Sequence, residues 1–333
     1  MKLNFTLVFI LTLLFSQCNS ETNTNEDNEQ NNLECIENNG LTTNRSFTII
    51  SKEDVVLFLE NPYKEINGEV SIGNLDDISF LNCVEKIRFL NISNCNIENL
   101  EGLTNLVEIS ELQITYMPSL KNLNGLNSIN KIEHLSITRN PSLIDLKGLE
   151  SLKILGGIRI ENNESLETLD GLENVTTNIE YNEDYRSHSL AWQWRIYENP
   201  KLTSISALNN VSGELKSHFK LYECPSLINL GVFQSITKSY GLSVINCESL
   251  TSLNCFPNLI ETGSITVNSA KNIRNISFSS LEKATYLGID NNDSLNKISF
   301  NSLQEISGGG NGDFSIKIDD NDSLTSLNGI ENL

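Results

Sequence analysis

The chain has 333 residues, of which 38% are hydrophobic, 7% aromatic and 20% charged, and its formal net charge is −20. The hydrophobic content is too high for a disordered chain, and the few aromatic residues suit a core built of Leu and Ile. The acidic balance argues against nucleic acid and anionic lipid as partners, because both repel a negative surface.

The first twenty residues have the pattern of a signal peptide. Lys2 supplies a short positive region, and the apolar run 5–15 is too short to span a bilayer. Cleavage after Ser20 would release a secreted protein. Alternatively, residues 15–18 resemble a bacterial lipobox, in which Cys18 would be lipidated. The second interpretation predicts an outer-membrane or cell-surface lipoprotein that contacts the membrane only through its lipid.

Two further segments precede the repeats. Residues 21–34 are predicted to be a disordered acidic and Asn-rich tether, since 21–32 contain no apolar side chain. Residues 35–67 are predicted to form a small α/β cap that shields the first coil. Within it, 47–50 is typical of a strand, and Ser51 to Asp54 resembles a capping box that starts a helix running to Leu59.

The remaining residues, 68–333, contain a repeat. Gly102, Gly125, Gly148 and Gly171 are 23 residues apart, and the shared pattern is L-x-I-x-x-N-x-x-L-x-x-L-x-G-L-x-x-L. Its opening apolar pair occurs eleven times, at Val70/Ile72, Leu90/Ile92, Leu112/Ile114, Leu135/Ile137, Ile158/Ile160, Trp194/Ile196, Phe219/Leu221, Leu242/Val244, Ile265/Val267, Leu287/Ile289 and Ile316/Ile318.

A unit of this length cannot bury its apolar residues alone, so stacked units must share one continuous core. L-x-I predicts a short strand with both apolar side chains inward, and Gly-Leu predicts a corner where glycine allows positive φ. The pattern therefore predicts a mainly β protein, a right-handed parallel β-solenoid of about eleven coils of 22–25 residues.

One slot, three residues after the Ile, predicts a polar ladder. An Asn there can bond the backbone of adjacent coils and satisfy groups that the bend would bury unpaired. The slot holds Cys95, Met117, Asn140, Asn163, Asn199, Cys224, Cys247, Ala270, Asn292 and Asn321.

The runs 140–143 (NPSL), 199–202 (NPKL) and 170–172 (DGL) resemble the receptor L domain. That leucine-rich-repeat-like module builds the ligand-binding lobes of insulin-type and epidermal-growth-factor-type receptors, and it occurs in tethered surface proteins of Bacteroidetes. The resemblance covers residues 35–333. It implies the fold and a recognition role, but the matching residues are core residues and imply no particular ligand.

The cysteines give one expected disulfide. Cys35 and Cys83 lie near the cap and first coil, where a bridge would staple the cap of an exported protein. Cys224 and Cys247 occupy the same slot of successive coils, about 4.8 Å apart, so a bridge is geometrically open. Cys95 fills that slot alone, which favours buried thiols there. No C-x-x-C pair exists and the three His are scattered, so no metal or other cofactor is expected.

Side chains between and beside the inward residues form three outward columns. Near coils five to seven these columns become basic and aromatic, next to a break in the period at 176–190. The candidate ligand-binding residues are Arg159, Glu161, Gln193, Arg195, Tyr197, His218, Lys220 and Tyr222. Other members of the columns include Glu111, His134, Ser136 and Thr138.

Such a patch suits an acidic protein surface or a sugar, through charge-assisted bonds and aromatic stacking. The sequence thus predicts a non-catalytic recognition or adhesion module that binds an unknown extracellular protein or glycan. Two alternatives stay open. A β-helical polysaccharide lyase would need clustered carboxylates, yet only Glu161 accompanies the basic residues. A structural surface-coat element would be favoured if the last coil stacks on another copy.

Overall fold

The computed structural model describes residues 40–178, 194–308, 315–327, 330, 331 and 333. The predicted signal peptide 1–20 with Cys18, the tether 21–34 and Cys35 lie outside the described residues. The described chain is mainly β, and its parallel strands form a β-solenoid of about eleven turns, as the repeat predicts.

In the described residues, eighteen strands and one α-helix build the solenoid. The strands are β1 (Leu41–Thr43), β2 (Phe47–Ile49), β3 (Tyr63–Gly73), β4 (Lys86–Ser93), β5 (Glu108–Thr115), β6 (Lys131–Thr138), β7 (Ile154–Glu161), β8 (Thr177–Asn178), β9 (Trp194–Tyr197), β10 (Ser212–Tyr222), β11 (Ser235–Ile245), β12 (Ser252–Leu253), β13 (Glu261–Asn268), β14 (Asn275–Ser277), β15 (Lys283–Asp290), β16 (Lys297–Ser299), β17 (Glu305–Ile306) and β18 (Ile316–Asp319). The helix is α1 (Lys52–Leu59), and short 3-10 turns span Ser79–Leu81, Glu101–Leu103 and Ser206–Leu208.

Strands β12, β14 and β16 form a small three-stranded sheet, and the other fifteen form one large parallel sheet. In the large sheet the predicted apolar pairs lie in register, for example Leu112 opposite Leu135 and Leu135 opposite Ile158. The first ten pairs are buried and the last, Ile316/Ile318, is partly buried. The eleven-coil register read from the sequence is therefore confirmed.

The cap adds a further rung to the same sheet, because β2 pairs with β3 in parallel register. The predicted helix start is confirmed: the Ser51 hydroxyl accepts from the backbone N–H of Asp54 at 3.2 Å. The Asp54 carboxylate in turn accepts from the backbone N–H of Ile50 at 3.0 Å. This bond is the main reason that the pKa of Asp54 lies below its ordinary value. Phe58 from the helix packs on Tyr63 at 5.4 Å between ring centroids.

The break in the period lies inside a rung of the large sheet. Thr177 and Asn178, which the sequence places in the insertion 176–190, still pair with β7, and Thr177 also pairs with β10. Residues 179–193, including the candidate Gln193, lie outside the described residues. The rung resumes at Trp194, which is buried, and its indole N–H donates to the Gly156 carbonyl at 3.0 Å.

Glycine is required at one corner because consecutive coils touch there. Gly148 has φ +111°, and a Cβ at that position would lie 2.1 Å from the Leu123 carbonyl oxygen. Gly125 and Gly171 repeat both features. The spacing of 23 residues between these glycines thus reflects the close approach of neighbouring backbones.

The Asn slot forms the predicted ladder. The Asn163 side-chain oxygen accepts from the Asn140 backbone N–H at 3.0 Å, and the Asn163 amide donates to the Ile137 carbonyl at 3.1 Å. Asn199 makes the same acceptor contact with the Asn163 N–H at 3.1 Å. These side chains are fully buried, so the ladder satisfies backbone groups that the bend removes from water.

Candidate functional site

The strand register brings most of the candidate residues together. Arg159 on β7 lies beside Arg195 on β9, which lies beside Lys220 on β10. On the same three strands, a second column contains Glu161, Tyr197 and Tyr222. We call these six residues the strand-face site. Adjacent strands are about 4.8 Å apart, so the site presents three cations and two phenol rings within two strand spacings.

Glu161 is the organising residue of the strand-face site. One carboxylate oxygen lies 2.6 Å from Nη2 of Arg159, and the other lies 2.7 Å from Nε of Arg195. Only 3% of Glu161 is exposed, whereas the Arg159 and Arg195 side chains are 37% and 29% exposed. Glu161 is therefore buried beneath the two arginines, and its place among the ligand-binding residues stays a prediction. Its buried carboxylate holds both guanidinium groups in place, and those groups reach the surface.

Burial also removes other predicted outward positions from solvent. The side chains in question belong to β5 and β6 and lie in the three outward columns, two of which continue into the strand-face site. They are Glu111, His134, Ser136 and Thr138. The accessible part of this face is therefore narrower than the alternation of inward and outward positions predicts.

The two tyrosines extend the basic surface with aromatic rings. The Arg195 guanidinium carbon lies 4.9 Å from the centroid of the Tyr197 ring. Tyr197 and Tyr222 meet edge to face, with centroids 6.5 Å apart. A hydrogen bond to the Glu198 carboxylate raises the pKa of the Tyr197 hydroxyl. The phenol therefore remains a neutral donor, and the ring is fixed between a cation and a second ring.

His218 lies along the sheet next to the strand-face site. Its ring occupies the space above Gly241, where a Cβ would lie 2.2 Å from Nε2. Nε2 is 2.8 Å from the Ser264 hydroxyl, and the ring contacts Tyr240 at 5.3 Å between centroids. Burial, with a smaller contribution from the positive charge of Lys220, lowers the pKa of His218. Burial thus favours the neutral form of the His218 ring.

Tyr240 and Ser264 were not among the candidates read from the sequence. Tyr240 is 65% exposed and borders His218. The sequence did not point to these two residues because their proximity to His218 depends on the three-dimensional structure. Tyr240 precedes Gly241, the residue that pairs with His218, and Ser264 lies two strands away from His218. Gly241 lies between His218 and Ser264 in the same column. Its lack of a side chain was the only indication in the sequence that the His218 ring lies over this position.

Cys83 is disulfide-bonded, while Cys35, its expected partner, lies outside the described residues. Cys95, Cys224, Cys247 and Cys255 are free and buried, so the alternative bridge between Cys224 and Cys247 is not formed. Burial raises the pKa of Cys224 to about 11 and that of Cys247 to about 12. These thiols pack as small apolar residues, as the slot predicts.

Within residues 40–178, 194–308 and the short described stretches that follow, no group of three His, Cys, Asp or Glu side chains could hold a metal ion. In that same part of the chain, no helix is long and apolar enough to cross a membrane. No model of a known protein family matches the chain, and no curated protein matches its sequence. The resemblance to the receptor L domain therefore stays a prediction.

Proposed function

We propose that the protein is a non-catalytic, cell-surface recognition module that binds an extracellular glycan or protein through the strand-face site. The observation that carries this proposal is the juxtaposition of Arg159, Arg195 and Lys220 with Tyr197 and Tyr222 on three adjacent strands. A surface with positive side chains and phenol rings complements an anionic partner on an otherwise acidic protein.

An acidic glycan fits this surface best. Guanidinium groups bind carboxylates and sulfates through paired hydrogen bonds, and tyrosine rings pack on the apolar faces of sugars. Glu161 contributes by fixing Arg159 and Arg195 before the ligand arrives, at 2.6 and 2.7 Å from its two oxygens. Such preorganisation reduces the entropy lost on binding. An acidic loop of a protein offers the same carboxylates and is the other source of this chemistry.

The state of Glu161 supports binding rather than catalysis. A lyase needs a group that removes a proton from the sugar ring, and carboxylates that neutralise the sugar acid through a cation. The Glu161 carboxylate is instead engaged by two guanidinium groups and is buried. This arrangement favours a site that retains an acidic chain without cleaving it.

A retention assay tests the function. The full chain is immobilised and challenged with labelled uronic-acid polysaccharides, sulfated polysaccharides, neutral polysaccharides and acidic protein, and the supernatant is assayed for unsaturated uronates. We expect retention of an anionic probe with no unsaturated product. Replacing Tyr197 and Tyr222 by Ala should reduce retention, whereas Tyr116→Ala, an exposed tyrosine outside the site, should not. Release of unsaturated uronates would instead support a lyase.

Surface tethering is a separate part of the proposal. It rests on the lipobox-like residues 15–18 and on the tether-like composition of 21–34. Intact mass of the membrane-extracted protein, with its N-terminal peptide mapped, provides the test. Two or three acyl chains on Cys18 would support the lipoprotein. An unmodified start at Glu21 would contradict it and favour the secreted alternative.

A further inference from the structure

A second surface lies at the corner that follows the large sheet. It is an open groove of about 710 Å³, which we call the corner groove. It runs across the six coils whose strands are β4, β5, β6, β7, β9 and β10. Its lining residues are Asn94, Tyr116, Pro118, Arg139, Pro141, Asn162, Glu164, Glu198, Pro200, Glu223 and Pro225.

The backbone of the corner groove is a rigid ladder. In each coil the residue before the Asn or Cys slot has positive φ without being glycine, for example +56° at Tyr116 and +58° at Arg139. Its N–H donates to the next coil: Tyr116 to the Thr138 carbonyl at 3.1 Å, and Arg139 to the Glu161 carbonyl at 2.9 Å. A rigid wall of this kind loses little entropy when a ligand binds.

Prolines supply the apolar strip of the corner groove. Four of the six prolines in the chain occupy the same position, one residue after the slot, and all four are exposed. They are Pro118, Pro141, Pro200 and Pro225. The equivalent positions of later coils hold Glu248, Lys271, Asp293 and Asp322. The strip is therefore confined to the coils that line the groove.

The charges of the corner groove are unequal. Glu164, Glu198 and Glu223 contribute three carboxylates, and Arg139 is the one cation among the described residues that line the groove. Arg139 is also held by a ring, since its guanidinium carbon lies 5.0 Å from the centroid of Tyr116. The half of the groove formed by the later coils thus combines prolines with three carboxylates, on a protein whose net charge is −20.

We propose that the corner groove binds an extended polypeptide segment with basic side chains. Six coils at about 4.8 Å spacing give a length of about 24 Å, which matches about seven residues of extended chain at about 3.4 Å each. Lysine or arginine side chains would meet Glu164, Glu198 and Glu223, while the aliphatic parts of the peptide pack on the prolines. The site is separate from the strand-face site, which has the opposite charge, and its test does not depend on the proposed function.

The test uses the full chain and fluorescein-labelled octapeptides. One alternates Lys and Ser, a second alternates Glu and Ser, and an unlabelled neutral glucose hexasaccharide serves as competitor. Fluorescence anisotropy should show binding of the Lys–Ser peptide that weakens with salt, no binding of the Glu–Ser peptide, and no displacement by the saccharide. Replacing Glu164 and Glu223, which are both exposed, by Gln should raise the Kd about fivefold, as expected for the loss of two surface ion pairs.

A matched control separates the groove from the general acidity of the protein. Glu167→Gln combined with Glu248→Gln removes the same charge from exposed positions outside the groove and should change the Kd less than twofold. A second variant, with Pro200 and Pro225 replaced by Ser, should raise it about threefold without a charge change. Equal effects in groove and control variants, no binding of the Lys–Ser peptide, or displacement by the saccharide would each overturn the proposal.

Discussion

The Oε1 atom of Glu161 lies 2.7 Å from Nε of Arg195 on the neighbouring strand. The other oxygen of the same carboxylate binds Arg159, so one buried anion orients two guanidinium groups that reach the surface. Breaking a buried ion pair is costly because it leaves charge without compensation. Glu161 therefore links the stability of the solenoid to the shape of the strand-face site.

Replacing Glu161 by Ala should destabilise the protein by about 2 kcal/mol, below the usual cost for a fully buried pair because both arginines are partly exposed. Urea unfolding measures the change. Glu167→Ala, which removes an exposed glutamate from the same coil, should change stability by less than about 0.5 kcal/mol. Similar losses in the two variants would show that the Glu161 carboxylate has no special role.

The Asn ladder predicts a graded series at position 163. Asn163→Leu removes the acceptor of the Asn140 N–H and one donor to the Ile137 carbonyl, and should cost about 3 kcal/mol. Asn163→Cys should cost less, because the chain itself uses Cys in this slot and the Cys224 sulfur receives a hydrogen bond from the backbone of Asn199. Chemical unfolding of both variants tests the order, and a reversed order would contradict the ladder.

Gly148 and Gly213 separate two physical reasons for a glycine: a positive φ alone, and a positive φ combined with a close backbone contact. Both have positive φ, +111° and +92°, but only at Gly148 would a Cβ meet another coil. Gly213→Ala adds backbone strain alone and should cost about 1 kcal/mol. Gly148→Ala adds a collision with the Leu123 carbonyl and should cost about 3 kcal/mol or more. Equal thermal unfolding midpoints for the two variants would contradict this, because they would mean that neighbouring coils can move apart at Gly148 with little loss of stability.

His218 should make stability depend on pH in the mildly acidic range. Its pKa in the folded protein lies below the ordinary value of 6.5, so the unfolded chain takes up a proton first as the pH falls. Stability is full above about pH 6.5 and declines as the pH falls toward the folded pKa. Lys220, which adds to the shift, lies on the same strand.

Unfolding midpoints of the wild type and of His218→Asn, measured at about pH 7.5 and 5.5, test this effect. The variant should show the smaller pH dependence. Identical dependence would contradict the shift.

Periodicity explains why so much of the fold is predictable from the sequence. The recurring apolar pair, most often 22 or 23 residues after the last, fixes the register of the inward side chains. A polar residue at a buried corner, such as Asn163, must pair with backbone. The register in turn correctly placed Arg159 beside Arg195. The burial of Glu161 was not predictable, because alternation along a strand says which face a side chain is on but not what covers that face.

The corner groove escaped prediction for a different reason. Its geometry depends on a left-handed residue in every coil, and positions such as Tyr116, Arg139, Glu198 and Glu223 are occupied by residues that seldom adopt positive φ. Backbone bonds between coils impose that conformation on them, and no local preference reveals it. The prolines two residues after these positions can be seen in the sequence. Only the register of the coils shows that they line one groove.

Binding of an anionic ligand by a charge-reduced strand face tests the central claim most directly. Arg159→Gln combined with Lys220→Gln leaves the Arg195 contact to compensate Glu161. Lys121→Gln combined with Lys271→Gln removes two exposed, ion-paired lysines elsewhere. Titration calorimetry with the acidic oligosaccharide that the immobilised protein retains should give a Kd at least about tenfold higher for the first variant. The second should match the wild type. Equal affinities for all three proteins would place the binding surface outside the strand face.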